Sequence, residues 1–199
     1  MSESSDELVC SSRSEVKQVA KRASYRKEDV FNLIDDLKMG HVGFIQNGQV
    51  FVIPLTVWRI GEYLYLHVIN KSRIQRLIES GEEVCISFAE CREWVMSKSA
   101  FHHSANYRSA VVYCVGERVE LAQAFDDAFK GVIEQIEAGR WAHIRPPNAK
   151  ERKATALLKL TIREGSFKRR EGGPNEEAED LALPVWNGTK AVCPYPKNI

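Results

Sequence analysis

The dipeptide Asn47-Gly48 is the feature that most constrains how this chain can fold. It lies between two strand-like stretches, "HVGFIQ" before it and "QVFVIPLTVW" after it. Both positions of a two-residue hairpin turn need positive φ, which Asn and Gly adopt more easily than other residues. The sequence therefore predicts an antiparallel hairpin over residues 41–58.

More strand patterns follow, with a few short helical patterns between them. Helices are predicted from Ser24 to a C-cap at Gly40, from Asn70 or Ser72 to Gly81, and over residues 122–139, because apolar residues recur there at helical spacing. Strands are predicted for "YLYLHVI", "EVCISFAE", "REWVMSKSAF", "RSAVVYCVGERVEL" and "ATALLKLTIRE". About six antiparallel strands hide their edges best in a closed barrel, so we expect a mainly β fold with peripheral helices.

Length and charge limit the organisation of the chain and its partners. A chain of 199 residues suits one domain, and we expect residues 1–22 to be a flexible leader before a single domain at 23–199. The polar run 165–180 is expected to be a surface loop.

With 28 basic and 27 acidic residues, no broad positive field is available for nucleic acid or membranes. The first residues do not resemble a signal peptide, and we expect a cytoplasmic protein.

Neither the cysteines nor the histidines have the spacing of a metal site. The five cysteines are odd in number and include no C-x-x-C, which argues against a disulfide framework and a zinc knuckle. His102 and His103 are adjacent, and adjacent residues of a strand point to opposite faces, so we do not expect them to share a metal ion. Common nucleotide and hydrolase motifs such as G-x-G-x-x-G and G-x-S-x-G are also missing.

The stretch "YLYLHVINKSRIQRLI" contains a pattern suited to binding an anion. A strand leads directly into a helix whose first turn holds Ser72 and Arg73. Free backbone N–H groups, a hydroxyl and a guanidinium there can converge on one phosphate. The alternative is a capping serine beside a solvated arginine.

Five stretches in order carry a resemblance to a known family: "HVGFIQNGQVFVIPLTVWR", "YLYLHVINKSR", "SAFHHSANYRSAVVY", "GRWAHIRPP" and "LALPVWNG". From residue 21 almost to the C-terminus the chain resembles the pyridoxamine 5′-phosphate oxidase-like FMN-binding split barrels. Within them it is most similar to the flavin-nucleotide-binding and nitroimidazole-resistance branch. The resemblance implies a six-stranded split barrel and a homodimer with one FMN per subunit at the interface.

The resemblance also implies which residues contact the cofactor. Ser72 and Arg73 match the family's phosphate-binding position, in agreement with the anion pattern described above. His67 and Asn70 are expected to form walls of the flavin groove. The strand edge beside the isoalloxazine ring matches Ile53, Pro54, Leu55 and Thr56.

The segment "HHSANYRS" matches the family's pocket-forming stretch between two strands. We expect ring or ribityl contacts from Ser99, Arg108 and Ser109, and expect His102 or His103 to act on the substrate side as catalytic residues. Trp186 matches a late tryptophan that packs near the flavin from the partner subunit. The alternative for each is a purely structural role in a turn, the core or an interface.

The leading function hypothesis is an FMN-dependent oxidoreductase acting on a small organic molecule, such as a nitroaromatic, a quinone, a flavin or a B6-type compound. Two alternatives stay open. One is a flavin carrier or sensor without catalysis. The other is a haem-binding or haem-degrading split barrel, in which His67 or His102 would ligate iron.

Overall fold

The structure, a computed structural model, describes residues 6–192 and contains mainly antiparallel β-structure. Its helices are α1 (Lys27–Leu37), α2 (Arg73–Glu79), α3 (Ala122–Ile136) and α4 (Ala149–Ala154). Its strands are β1 (Ala23–Ser24), β2 (Met39–Gln46), β3 (Gln49–Ile60), β4 (Tyr63–Ile69), β5 (Val84–Met96), β6 (Ser104–Arg118), β7 (Thr155–Arg170) and β8 (Gly188–Ala191). The predicted fold class is confirmed.

Six of these strands close into a barrel in the order β7-β4-β3-β2-β5-β6, and β6 pairs with β7 to complete the ring. Every pair is antiparallel. β1 adds to β7 and β8 adds to β5 outside the ring. The six-stranded barrel of the sequence prediction is therefore present, with two short accessory strands.

The barrel interior is filled by aliphatic side chains and Phe88. Fully buried members include Val42, Val57, Leu64, Leu66, Ile86, Val112, Leu158 and Leu160. α1 adds Val30, Leu33 and Ile34 to this core, and α2 adds the apolar face that its periodicity predicts.

The predicted hairpin is confirmed, but the expected end of α1 is not. Asn47 and Gly48 have φ of 51° and 73°, and Gln46 pairs with Gln49 across the turn. α1 ends at Leu37, with Lys38 in the left-handed region at φ 51°. Gly40 instead lies in β2, where a Cβ atom would approach the side chains of Ile86, Phe88 and Val57 to 2.8–2.9 Å. This glycine serves barrel packing, so its assignment as a helix cap was wrong.

Two strands are longer than the sequence predicted. β5 is one strand with an irregularity between Cys91 and Glu93, where two strands were expected. β7 continues to Arg170 because it pairs with β6 along residues 165–170. The expectation of a surface loop was therefore wrong for this part of the run 165–180, in which Gly165, Ser166 and Phe167 are buried.

Residues 6–22 pack against the barrel, in contrast to the flexible leader that was predicted. Leu8 joins the core with 9% of its surface exposed, and the amide of Gly165 donates to the carbonyl of Val9 at 3.2 Å. Arg13 forms ion pairs with Glu83 and Glu164. The burial of Leu8 and the ion pairs of Arg13 hold residues 6–22 on the barrel, although this segment has no apolar periodicity. In residues 6–192 we find no helix with the length and hydrophobicity needed to cross a membrane.

Candidate functional site

β3 and β4 separate from each other half-way along β3. They pair only from Ile60↔Tyr63 to Val57↔Leu66, while β2 pairs with β3 on its other edge from Met39↔Thr56 to Gln46↔Gln49. Thr56 and His67 are the next residues in register and stand where the split begins. The β3 edge over residues 50–56 thus has no strand partner on the β4 side among the residues described, so its backbone groups are free to bond a ligand.

α2 begins beside this split and brings a cation to it. The guanidinium carbon of Arg73 lies 4.2 Å from the ring centroid of Phe51 on β3. Arg73 is exposed and forms no ion pair with any residue in 6–192. The split therefore holds the positive charge of Arg73, which has no acidic partner among the described residues, above the ring of Phe51. The sequence pattern identified Arg73 but gave no signal for Phe51, which the hairpin register places beneath it.

Ser72 has the predicted role of an N-cap. Its Oγ accepts a hydrogen bond from the amide of Gln75 at 3.4 Å. α2 has only seven residues, so the side chain of Arg73, rather than the helix end, provides most of the positive charge at the split.

The side chain of Asn70 forms hydrogen bonds to two neighbouring elements. Its Nδ2 donates to the carbonyl of Lys153 at 2.9 Å, and its Oδ1 accepts from Nη1 of Arg118 at 3.2 Å. These bonds fix the end of β4 to the end of α4 and to β6. In this structure Asn70 shapes the wall of the split and does not offer a free amide to it.

His67 faces α3 on the outer side of β4. Its ring packs edge-on against Phe129 with centroids 5.0 Å apart, and its Nε2 lies 3.4 Å from Oγ1 of Thr155. Partial burial lowers the pKa of His67, so the imidazole is neutral at pH 7. It lines a pocket of about 240 Å³ with Phe125, Phe129, Pro147, Glu151 and Thr155. A second pocket of about 290 Å³ shares three of these residues and adds Ile133, Trp141, Ile144 and Arg145.

Of the other predicted residues, Ser99, His102, His103 and Trp186 lie beyond the far end of β5, whereas Ser109 pairs with Ala89, close to the level of the split. Cys85 on β5 is level with the split through the pairs Gly43↔Cys85 and Gly43↔Val52, whereas Ser99 follows the opposite end of β5. Pro54 in the split is level with Ser87 through His41, and from Ser87 to Met96 β5 extends up to about 30 Å at roughly 3.3 Å per residue. One chain therefore gathers the predicted residues into two separate groups.

The second group surrounds the 3₁₀ turn Ala100–His102. Nε2 of His102 lies 3.3 Å from Oε1 of Glu177, and Nδ1 of His103 lies 3.0 Å from the carbonyl oxygen of Ser99. Trp186 is 61% exposed nearby in the chain segment that leads into β8. Both histidines thus have partners within the chain, and their catalytic role stays a prediction.

Arg108 and Ser109 occupy the middle of β6. Nη1 of Arg108 lies 2.9 Å from Oδ2 of Asp36, and the same guanidinium contacts Glu90. Burial opposes its charge, but hydrogen bonds to these carboxylates raise the pKa of Arg108 overall. Ser109 Oγ donates to the carbonyl of Lys168 at 3.4 Å. Both side chains already have partners in the protein, so the structure gives neither a free group for a ligand.

Residues 6–192 contain no cluster of three or more His, Cys, Asp or Glu side chains that could hold a metal ion. The cysteines at positions 10, 85, 91 and 114 are free thiols. Cys193 and the remainder of the C-terminal tail lie outside the described residues.

The sequence profile of the family described as pyridoxamine 5′-phosphate oxidase matches residues 26–169. The chain belongs to this family. The resemblance predicted from five short stretches is therefore confirmed, and so is the split-barrel fold. A comparison with curated proteins finds no match.

Solved structures similar to this family member include two proteins of nearly the same extent. The flavocytochrome Anf3 from Azotobacter vinelandii is 30% identical with a TM-score of 0.84, and the match covers 95% of this chain and 91% of that one. The FAD and haem binding protein from Mycobacterium smegmatis is 26% identical with a TM-score of 0.80, covering 86% and 84%. A candidate 5-nitroimidazole antibiotic resistance protein from Bacteroides thetaiotaomicron, 16% identical with a TM-score of 0.62 over 73% and 85%, shares the fold.

Proposed function

We propose that this protein binds a flavin, FMN, along the split between β3 and β4, and that it is an oxidoreductase for a small organic molecule. The observation that carries this proposal is the exposed guanidinium of Arg73, which has no acidic partner in residues 6–192 and lies over Phe51 beside an unpaired strand edge. A phosphate group and a flat ring with polar edges fit these two features. The names of two structural matches that cover most of the chain, a flavocytochrome and an FAD and haem binding protein, support a flavin.

The residues of the split divide the work of holding the cofactor. Arg73 and the hydroxyl of Ser72 would bind the phosphate that FMN and FAD have in common. The backbone of Ile53–Thr56 would bond the polar edge of the ring, with Thr56 and His67 at the closed end of the split. A bound flavin supplies hydride or electron transfer, so the protein needs to supply binding, orientation and a sheltered substrate face.

We further propose that the protein is a homodimer and that a second copy completes the site. Within one chain the group around His102 and Trp186 lies past the end of β5 that is remote from the open end of the split. The outer face of the β2–β3 hairpin exposes an apolar patch of Ile45, Val50 and Val52, which are 67%, 74% and 61% exposed. Such patches mark interaction surfaces. A partner seated on it would bring its own Trp186 and His102 towards the flavin.

Haem binding is a second candidate function, and His67 favours it. Its neutral imidazole faces a pocket lined by Phe125 and Phe129, and a neutral imidazole is the form that ligates haem iron. Two structural matches of similar extent have haem or cytochrome in their names. This function can be tested separately from flavin binding, because the His67 ring faces α3 whereas the proposed phosphate position is at Arg73.

The test is an absorption spectrum of the full-length protein, taken as purified and again after incubation with FMN or FAD and removal of the excess by gel filtration. Retained flavin bands, followed by bleaching with a nicotinamide nucleotide and reoxidation by a quinone or nitroaromatic, are the expected result. Retained flavin with no turnover by any such pair would favour a carrier. If the protein retains neither FMN nor FAD after gel filtration, the proposal is overturned. A Soret band that disappears in His67→Ala would support the second function.

A further inference from the structure

A cleft of about 630 Å³ lies between the segment before α1 and the end of β7. Its walls come from residues 21–24 and from the turn after β7, including Gly172 and Gly173. The basic side chains that line it are Lys21, Arg22, Arg169 and Arg170. None of these four residues belongs to the proposed flavin site.

Arg170 is buried in the wall of this cleft without a carboxylate to neutralise it. Only 8% of its surface is exposed. Its guanidinium donates to neutral oxygens alone, namely Oδ1 of Asn106 and the carbonyls of Gly172 and Gly173, the latter two at 3.2 and 3.0 Å. Burial and the nearby charge of Arg22 lower the pKa of Arg170, although an arginine stays protonated. A buried charge without a counterion is costly unless a ligand provides one.

The remaining charges around the cleft do not provide that counterion. The acidic residues in its lining are Asp29, which accepts a hydrogen bond from Ser24, and Glu171, which lies 3.8 Å from Arg169. Lys21 and Arg22 form no ion pair with any residue that the structure describes. Four basic and two acidic side chains leave two positive charges, which match a dianion.

We propose that this cleft binds an organic phosphate whose phosphoryl group is held by Arg22 and Arg170. Two guanidinium groups suit the bidentate geometry of a phosphate, and Lys21 and Arg169 strengthen the field at the rim. The volume lies in the range of small-molecule sites, roughly 300–1,000 Å³, which leaves room for an organic group attached to the phosphate. The site is separate from the flavin site and does not depend on it.

The experiment is calorimetric titration of the full-length protein with adenosine 5′-monophosphate, inorganic phosphate and adenosine, in a buffer free of phosphate. We expect saturable binding of the monophosphate, weaker binding of inorganic phosphate and none of adenosine. Arg22→Gln should weaken the monophosphate at least about tenfold, the effect of one lost charged hydrogen bond. Lys21→Gln, an exposed position, should weaken it less and serves as a second variant should Arg22→Gln fold poorly. Arg140→Gln, near the end of α3, is the matched control and should bind normally.

Three results would overturn this proposal. Absence of binding by both phosphates would do so, as would equal affinity in Arg22→Gln, Lys21→Gln and the wild type. Inorganic phosphate that binds as tightly as the monophosphate would mean a simple ion site. Arg73→Ala separates this site from the flavin site, because it should weaken FMN while leaving the monophosphate unchanged. If Arg73→Ala weakens both ligands equally, the monophosphate occupies the flavin site and the cleft has no such ligand.

Discussion

The guanidinium of Arg108 on β6 is clamped to the carboxylate of Asp36 on α1, with Nη1 and Oδ2 2.9 Å apart. The same guanidinium contacts Glu90 on β5. One mostly buried side chain therefore ties a helix to two barrel strands. The family resemblance points to a flavin contact at this position, but the contacts of Arg108 in this chain point to the stability of the barrel.

We expect Arg108→Ala to lower the free energy of unfolding by about 1–3 kcal/mol, because two carboxylates lose a charged hydrogen-bond donor. Urea unfolding of the wild type and variant measures it. Arg92→Ala is the control, because Arg92 contacts the same Glu90 at 3.0 Å from an exposed position and should cost less than about 1 kcal/mol. Unchanged stability together with lost flavin binding would instead place Arg108 in the cofactor site.

Arg73→Ala should weaken FMN binding by about 1.5–3 kcal/mol, which corresponds to roughly 10- to 150-fold in Kd. The physical reason is the loss of one charged hydrogen-bond partner of the phosphate. Fluorescence titration with FMN measures the effect. Arg76→Ala, one turn further along α2 and also exposed, should bind FMN as the wild type does. Equal affinity of the two variants would disprove the phosphate assignment.

Gly40→Ala should destabilise the fold by about 1–3 kcal/mol, because its methyl group would overlap three buried side chains. Gly43→Ala on the same strand is a matched control. Its Cβ would meet no atom closer than the carbonyl oxygen of Cys85 at 3.5 Å, so we expect a change below about 1 kcal/mol. Thermal unfolding compares the two. Similar melting temperatures would mean that the barrel interior is looser than this packing implies.

His67 makes stability depend on pH. Its pKa is lower in the folded chain than the ordinary value of about 6.5, so the unfolded chain binds protons more readily. Stability from this group is therefore fully present above pH 6.5 and is lost as the pH falls through the lower, folded pKa. Urea unfolding at pH 7.5, 6.5 and 5.5 should show this decline, and it should be smaller in His67→Gln. An identical pH profile in both proteins would rule out the lowered pKa.

Val52→Glu should weaken the proposed dimer at least tenfold, because it places a charge in the apolar patch on the outer face of β3. Sedimentation velocity over a range of protein concentrations measures the dissociation constant. Leu121→Glu introduces the same charge at an exposed leucine before α3 and should leave association unchanged. A wild type that sediments as a monomer at every concentration would contradict the dimer.

Local signals in the sequence were sufficient for much of the barrel. The Asn47-Gly48 turn and the Ser72 cap depend on residues close in the chain, and both are confirmed. The extension of β7 to Arg170 depends on pairing with β6, some 60 residues away in the chain. A polar, glycine-containing run gives no local sign of such pairing. The ion pairs of Arg13 with Glu83 and Glu164 escaped prediction for the same reason.

The candidate site was predictable where its residues belong to one strand–turn–helix unit. Arg73 was identified from the strand-to-helix junction, whereas Phe51 beneath it required the register of the β3 hairpin. Lys21 and Arg22 fall within residues 1–22, for which the sequence predicted only a flexible leader. Their position opposite Arg170 results from β1 pairing with β7, through Ala23↔Lys168 and Ser24↔Phe167. Contacts between residues so distant in sequence leave no periodic signature in either segment.

β7 pairs with β1, β4 and β6 along its sixteen residues, and it comes last among the barrel strands. The ring cannot close during synthesis until residue 170 has left the ribosome. Until then β4 and β6 present bare edges, and Arg13 lacks its partner Glu164 on β7. Such late, long-range closure is slow and exposes the nascent chain to aggregation. We therefore expect the yield of folded protein to depend more on chaperones and growth temperature than its modest size would imply.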